Sequence, residues 1–526
     1  MIKRHFSTIL RLLWRQRRFT ALNVFGLALS ISACWIILRI VSYEFSYDSG
    51  LANKADIYRV VSGFLFDGKQ SYNGGVSAPL YQGLRQEATG IENVVPVFSA
   101  YVNSITVNSE NGKAPVFDDP ADIVETDSAY FSMVPYQWLS GNPKSALGKP
   151  KTVVLSESRA KKYFPGKTPE QIINRTLTYY SYHDTTIRTV TGIVADLATP
   201  TEFTAQEFCA MIHKSYSLNE WTNTNGSDEL YIQLKKDVKP AQVLSRIQNI
   251  VAQKQREFDQ KNEHGFKFTR WIELLALKDS HFSTYIKEYG PRKASKPVLL
   301  ALIGIGLFLL ILACINYINM SMAAMPQRAK EIGVRKTLGS TQSQLVTRFL
   351  SETLLTTLFA AILACGLNLF GFWMLTDIIP TGVKPFGNIV QPVAFVLIIV
   401  AAITMLAGLY PGWIITKVKT IDVFRNMMMV KNTDHKVSLQ RILIVFQFVI
   451  ALVFITSALI VGDQLHFALK SDMGFNKDAV VLVEIPWKYS DDKIYENKKF
   501  HRINAFFKTI ATEKKQAEPM VFNRGS

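Results

Sequence analysis

A chain of 526 residues has room for about three or four domains of roughly 150 residues each. Its formal charge of +17 raises the question of nucleic acid, but such a partner needs a basic face on a folded domain, and here the basic residues gather at the ends of apolar runs. Cys34, Cys314 and Cys365 lie inside those runs and Cys209 stands alone, which excludes a disulfide framework and leaves no metal-ligand spacing among the thiols.

Residues 1–18 set Ile2, Phe6, Ile9, Leu10 and Leu13 at helical spacing opposite Lys3, Arg4, Arg11 and Arg15. That pattern predicts an amphipathic helix on the inner membrane surface, the alternative being an extension of the apolar run that follows. Phe19–Tyr43 is the first of five runs that reach the ~20 residues a spanning helix needs. It contains "ISAC", which resembles a lipidation site, but the apolar run continues through "WIILRIVSY", so Cys34 reads as a mid-span residue. Arg39, near the outer end, is expected to snorkel to the headgroups. Gly26 and Ser30 have the small-xxx-small spacing that favours close helix approach.

Residues 44–296 predict a folded α+β domain. Its strand-like runs include "IYRVVSGFLF", "TLTYYSYH", "TIRTVTGIVADL" and "ELYIQLKK". Its helical runs include "APLYQGLRQEA", "SESRAKKYF" and "PAQVLSRIQNIVAQKQREF". "GFLFDGKQ" fits a phosphate-binding loop except at Gln70, where the magnesium-holding hydroxyl is missing, so Asp67–Gly68 reads as a hairpin turn. His183, His213, His264 and His281 stand among polar residues without paired spacing and read as surface residues; no nucleophile context accompanies the domain's serines.

The remaining spans are Val298–Met320, Thr353–Leu375, Pro392–Trp413 and Ile442–Gly462. Asn23, Asn316, Asn319, Asn368 and Gln447 within the spans are expected to hydrogen-bond between helices, because a polar group facing lipid is costly. Basic residues crowd residues 1–18, the segment 321–352 and the loop 414–441, whereas the loop after span three carries only Asp377 and Lys384. The positive-inside rule then puts the N-terminus and both basic segments in the cytoplasm, and 44–296 and 463–526 outside. The fold class is a polytopic α-helical membrane protein of five spans, with a large α+β extracytoplasmic domain between spans one and two.

Segment 321–352 holds "RAKEIGVRKTLGST". Glu331 and Arg335 stand four apart in the favourable order for a helical pair, with Arg328 one step earlier. Gly339 is placed to end that helix, and Ser340 or Thr341 to begin the next, which leads into span three. Such a knuckle suits docking against a cytoplasmic protein; the competing reading is a solvated positive-inside loop.

"INYINM", "RAKEIGVRKTLGST" and "RFLSETLL" together resemble the signature of MacB/FtsX-type ABC transporter permeases across Ile315–Leu355. "ALNVFGLALSISA", "YEFSYDSGLANKADIYRV", "VVLSESRAKKYFPG", "VTGIVAD" and "AGLYPGWIITKVKTIDVFR" are similar to further pieces of that family. The resemblance implies a permease of the bacterial inner membrane without enzymatic chemistry or cofactor of its own. A separate ATPase subunit, carrying ATP and magnesium, would dock at Arg328, Glu331, Ile332, Gly333, Arg335, Lys336, Gly339 and Glu352, the two glycines acting structurally. Its closure would be relayed through spans one and two to the outer domain, to export or extract a peptide, a macrolide-like compound or a lipoprotein. Implied with it are a permease dimer or pairing with a second permease half, and a periplasmic adaptor. The alternatives are an FtsX-like regulator of a cell-wall hydrolase and an inactive truncated permease. The last rests on 463–526, which resembles the opening of a second outer domain in the eight-span members.

Overall fold

The computed structural model describes residues 11, 14–15, 17–51, 53–66, 68–87, 89–108, 114–181, 184–211, 220–261, 269–284, 286, 292–416 and 439–471. Most of the expected amphipathic helix, most of loop 414–441, residues 472–526, Asp67, His183, His213 and His264 lie outside them. The chain divides into two units, residues 1–46 with 294–480 and residues 47–293 with 481–526. Helix α1 (Arg17–Phe45) opens the first unit.

The second unit begins with β1 (Ile57–Phe66), β2 (Lys69–Asn73), α2 (Leu80–Glu87), β3 (Ile91–Ser99), β4 (Ser104–Val107), β5 (Val116–Asp118) and β6 (Ile123–Thr126). It goes on through α3 (Ala129–Met133), β7 (Trp138–Ser140), β8 (Thr152–Ser156), α4 (Glu157–Tyr163), α5 (Pro169–Ile172), β9 (Thr176–Tyr180) and β10 (Thr185–Val194). It ends with β11 (Glu207–Ala210), β12 (Asp228–Leu234), α6 (Pro240–Lys261), β13 (Thr269–Ala276) and α7 (Leu277–Ser280). The strands form one mixed sheet in the order β13-β1-β12-β3-β6-β11-β8-β10-β9-β4-β5, with β2 beside β1 and β7 beside β10. Among the described strands only β8–β10 and β6–β11 run parallel.

Strand alternation sorts the apolar residues onto two faces. Val60, Leu230 and Ile272 join Leu80 and Leu84 of α2 and Val243 and Ile247 of α6 in one core. Ile57, Val95 and Tyr231 face the opposite core, built on Tyr130, Phe131, Tyr136 and Phe208. A third core at the far end joins Ile105, Leu155, Leu177 and Val190 to Tyr163 of α4. Phe66 pairs with Lys69 and Gly68 takes φ 72°, the left-handed conformation a tight hairpin requires. The loop that mimics a phosphate-binding motif is thus a β1–β2 hairpin.

The chain then re-enters the first unit and forms α8 (Lys296–Ala323), α9 (Met325–Thr337), α10 (Gln342–Met374), α11 (Val390–Thr416) and α12 (Leu439–Lys470). Five helices are long and apolar enough to cross a membrane, and the expected spans fall on them; the third begins at Gln342, well before Thr353. Leu27 and Ile31 of α1, Leu310 and Tyr317 of α8, Ala360 and Ala364 of α10 and Ile403 and Ala407 of α11 make a common core. The alanines let the helix backbones approach closely. Helix α12 buries none of its most apolar stretch among the described residues and meets α8 at Phe308–Phe454, ring centroids 5.6 Å apart.

Of the span residues expected to bond between helices, Asn368 does so among the described residues. Ser32 Oγ donates to Asn368 Oδ1 at 2.8 Å and Tyr317 OH to Thr353 Oγ1 at 3.0 Å. Asn23 Oδ1 and the Asn319 amide, though buried, have no partner among the described residues. Arg39, near the outer end of α1, donates to the Lys384 carbonyl at 3.1 Å and to Gln391 Oε1 at 2.6 Å. Trp35 reinforces this clasp through Nε1 to the Pro385 carbonyl at 2.8 Å.

Candidate functional site

Helix α9 follows α8 with only Ala324 between them and carries Pro326 in its first turn, where the missing N–H costs nothing. At its far end Gly339 N donates to the Lys336 carbonyl at 3.1 Å and Ser340 N to the Arg335 carbonyl at 3.0 Å. Gly339 has φ 89°, so a side chain there would be strained. Thr341, rather than Ser340, starts the next helix. Its hydroxyl accepts from Gln344 N at 3.3 Å while its own N–H donates to Gln344 Oε1 at 3.1 Å, a reciprocal capping box.

What fixes α9 against α10 is a small apolar cluster of Ile332, Leu345 and Phe349, each 8% exposed or less. Gly333 is buried beside it. On the exposed side Glu331 Oε1 lies 3.0 Å from Arg335 and 2.8 Å from Arg348 of α10, so one carboxylate links both helices. Leu338, 81% exposed, tips the turn, and Val334 is exposed one helical turn before it. Of Arg328 only the helical backbone is described. Lys336 is half-buried. Glu352 is buried at 7% exposure within α10, apart from the exposed group.

The structure therefore brings together Glu331, Ile332, Gly333, Arg335, Lys336 and Gly339. It adds Arg348, Leu345 and Phe349, which are not among the expected docking residues. Leu345 and Phe349 are four apart and Arg348 adjoins them, so helical periodicity carries a signal for the buried face. The knuckle presents a charged network around an exposed apolar tip.

A second constellation lies where the α+β unit begins and ends. Asp48, 2% exposed, accepts from Thr201 Oγ1 at 2.6 Å and from Glu202 N at 3.1 Å. The fully buried Glu202 side chain meets Lys293 Nζ at 2.5 Å and His281 Nδ1 at 3.7 Å and accepts from Ser280 Oγ at 3.3 Å. Burial pushes Glu202 upward, but His281 beside it and the charges of Lys293 and Arg59 outweigh it and hold the carboxyl below its ordinary range. His281 stacks on Tyr47 with ring centroids 3.5 Å apart and is 1% exposed, which corrects its reading as a surface residue. Tyr47 and Lys293 are the residues by which this unit continues in sequence toward α1 and α8. One buried carboxylate thus ties both ends.

The sequence matches the MacB-like periplasmic core domain family over residues 20–250 and the FtsX-like permease C-terminal family over residues 303–420. Among solved structures, a domain described as part of a permease protein from Porphyromonas gingivalis is 16% identical, covering 48% of this chain and 98% of that one with a TM-score of 0.34. The periplasmic region of MacB from Actinobacillus actinomycetemcomitans is 15% identical, covering 42% and 97% with a TM-score of 0.27. No curated protein matches the chain significantly.

Proposed function

The chain belongs to the MacB/FtsX-like permease family, and from that premise we propose that a separate ATPase docks on the α9–α10 knuckle of this ABC-type permease and moves its extracytoplasmic domain. Arg328, Glu331, Arg335 and Arg348 face the ATPase, with Leu338 as the apolar anchor. Ile332, Gly333 and Gly339 shape the knuckle, Lys336 flanks it, and Glu352 acts from within the bundle. ATP and magnesium reside on the partner. The work is done on a substrate outside the inner membrane, a peptide, macrolide-like compound or lipoprotein, by a permease dimer or a pair of permease halves with a periplasmic adaptor.

The observation that carries this reading is the knuckle itself. A helix packed on α10 by three buried side chains, with the charges around Glu331 left at the surface, supports a recognition surface over a mere connecting loop. The test reverses the pair with Glu331→Lys and Arg335→Glu in the full chain and measures ATPase co-purifying from the native membrane. Charge pairs desolvated at interfaces couple by about 1.5–7 kcal/mol, so recovery falls by about tenfold or more. Undiminished recovery from the reversed protein refutes docking at this site.

A further inference from the structure

Among the described residues of the α+β unit four arginines are buried, and three have a glutamate: Arg59 with Glu229 at 2.9 Å, Arg159 with Glu207 at 3.4 Å and Arg188 with Glu125 at 2.5 Å. The fourth, Arg270, is 8% exposed and has no carboxylate among the described residues within ion-pair distance. Its guanidinium donates to the Trp221 carbonyl and, at 3.1 Å, to Ser77 Oγ, while Nε has no acceptor among the described residues. Burial without a countercharge is costly. It holds Arg270 below the usual guanidinium value, at about 10.

Two neighbours define the place further. Arg270 pairs with Phe64 across the β1–β13 ladder and Ile272 with Ser62, so Ser62 and Arg270 project from the same face. Ser62 is fully buried and its hydroxyl is also without a partner among the described residues. Lys254 Nζ lies 5.6 Å from the Trp221 ring centroid, on the residue whose carbonyl Arg270 holds; its own acid is Glu257 at 3.0 Å.

We propose that Arg270 is the anchor of an anion site in the α+β domain, binding a carboxylate or phosphate group of a ligand. Arg270 supplies the unclaimed Nε–H and its full charge, and Ser62 a hydroxyl. The ligand supplies what Glu229, Glu207 and Glu125 give the other three arginines. This assignment is independent of ATPase docking.

The experiment follows thermal unfolding of the full chain in detergent while sodium acetate, or inorganic phosphate, replaces chloride at constant ionic strength. A ligand that binds only the folded state raises Tm with its concentration, by about 3 °C or more well above Kd. Arg270→Met abolishes the rise while unfolding no earlier than the wild type in chloride, because it removes a buried unpaired charge. Ser62→Ala, a small change that leaves the fold intact, weakens the response several-fold. A response to acetate alone marks a carboxylate ligand, and one to phosphate alone a phosphorylated one. The proposal is overturned if neither anion moves the wild type, or if Arg270→Met or Ser62→Ala responds as the wild type does.

Discussion

Lys293→Met tests the buried cluster that ties the two ends of the α+β domain. Lys293 is 17% exposed and lies 2.5 Å from a carboxylate that is fully buried, so the substitution leaves Glu202 with Ser280 Oγ at 3.3 Å and His281 Nδ1 at 3.7 Å. Breaking a buried pair from one side costs about 3–5 kcal/mol; with two partners remaining, the low end, about 3 kcal/mol, is expected. For a domain of this size each kcal/mol lowers Tm by about 2–4 °C, giving a fall of about 6–12 °C. The pH dependence has a definite sign. Glu202 in the folded state titrates below its ordinary value of 4.5, so its contribution is complete above that pH and is lost as pH falls through the folded value. The gap between wild type and variant is therefore full at pH 6–8 and closes in acid. Unfolding of the full chain in detergent, followed by aromatic circular dichroism from pH 8 to pH 3, measures both. A deficit under about 0.5 kcal/mol at pH 7, the size of a surface effect, refutes the assignment, as does a deficit unchanged at pH 3.

Asp228 is 8% exposed and burial pushes it up to about 7, so the folded domain holds a proton that the unfolded chain releases near 3.8, and stability falls as pH rises between these values. Asp228→Asn flattens that decline and is more stable than wild type above pH 7; parallel unfolding profiles of the two proteins count against it. In the knuckle, Gly339→Ala at φ 89° and Thr341→Ala each cost about 1 kcal/mol, the first through backbone strain and the second through loss of the cap. Amide exchange over 336–341 then quickens roughly fivefold in each variant; unchanged exchange shows that the turn is held by something else.

The spans were legible because about 20 apolar residues in succession are rare outside a membrane-spanning helix. Strand β1 was legible from "IYRVVSGFLF", whose ends the structure reproduces. Strands β5 and β7, with 3 residues each, carry too little alternation to read. The sheet order was hidden for a different reason: β1 lies between β12 and β13, and such long-range pairing leaves no local pattern. His281 has polar sequence neighbours, but its burial is decided by Tyr47 and Glu202 from distant parts of the chain. In the knuckle, Glu331–Arg335 follows from helical spacing, whereas Arg348 reaches Glu331 only through the angle at which α9 meets α10.

On the proposed reading the chain passes on motion rather than catalysing a reaction, and a joint that yields dissipates that motion. The two joints are stiffened by different means. In the knuckle the exposed pairs around Glu331 are worth only a few tenths of a kcal/mol each, while each fully buried side chain of the Ile332–Leu345–Phe349 cluster is worth about 1.5–3 kcal/mol. Rigidity there comes from the apolar face, which leaves the charges free to serve recognition. At the root of the α+β domain the order is reversed: the ionic groups are the buried ones, and with Asp48 and Glu202 both anchored through residues 201–202, neither end can shift without exposing or unpairing a charge. A buried ion pair adds little net stability, but it resists partial displacement steeply, since losing one partner costs more than the intact pair contributes. That suits a joint that must hold under load.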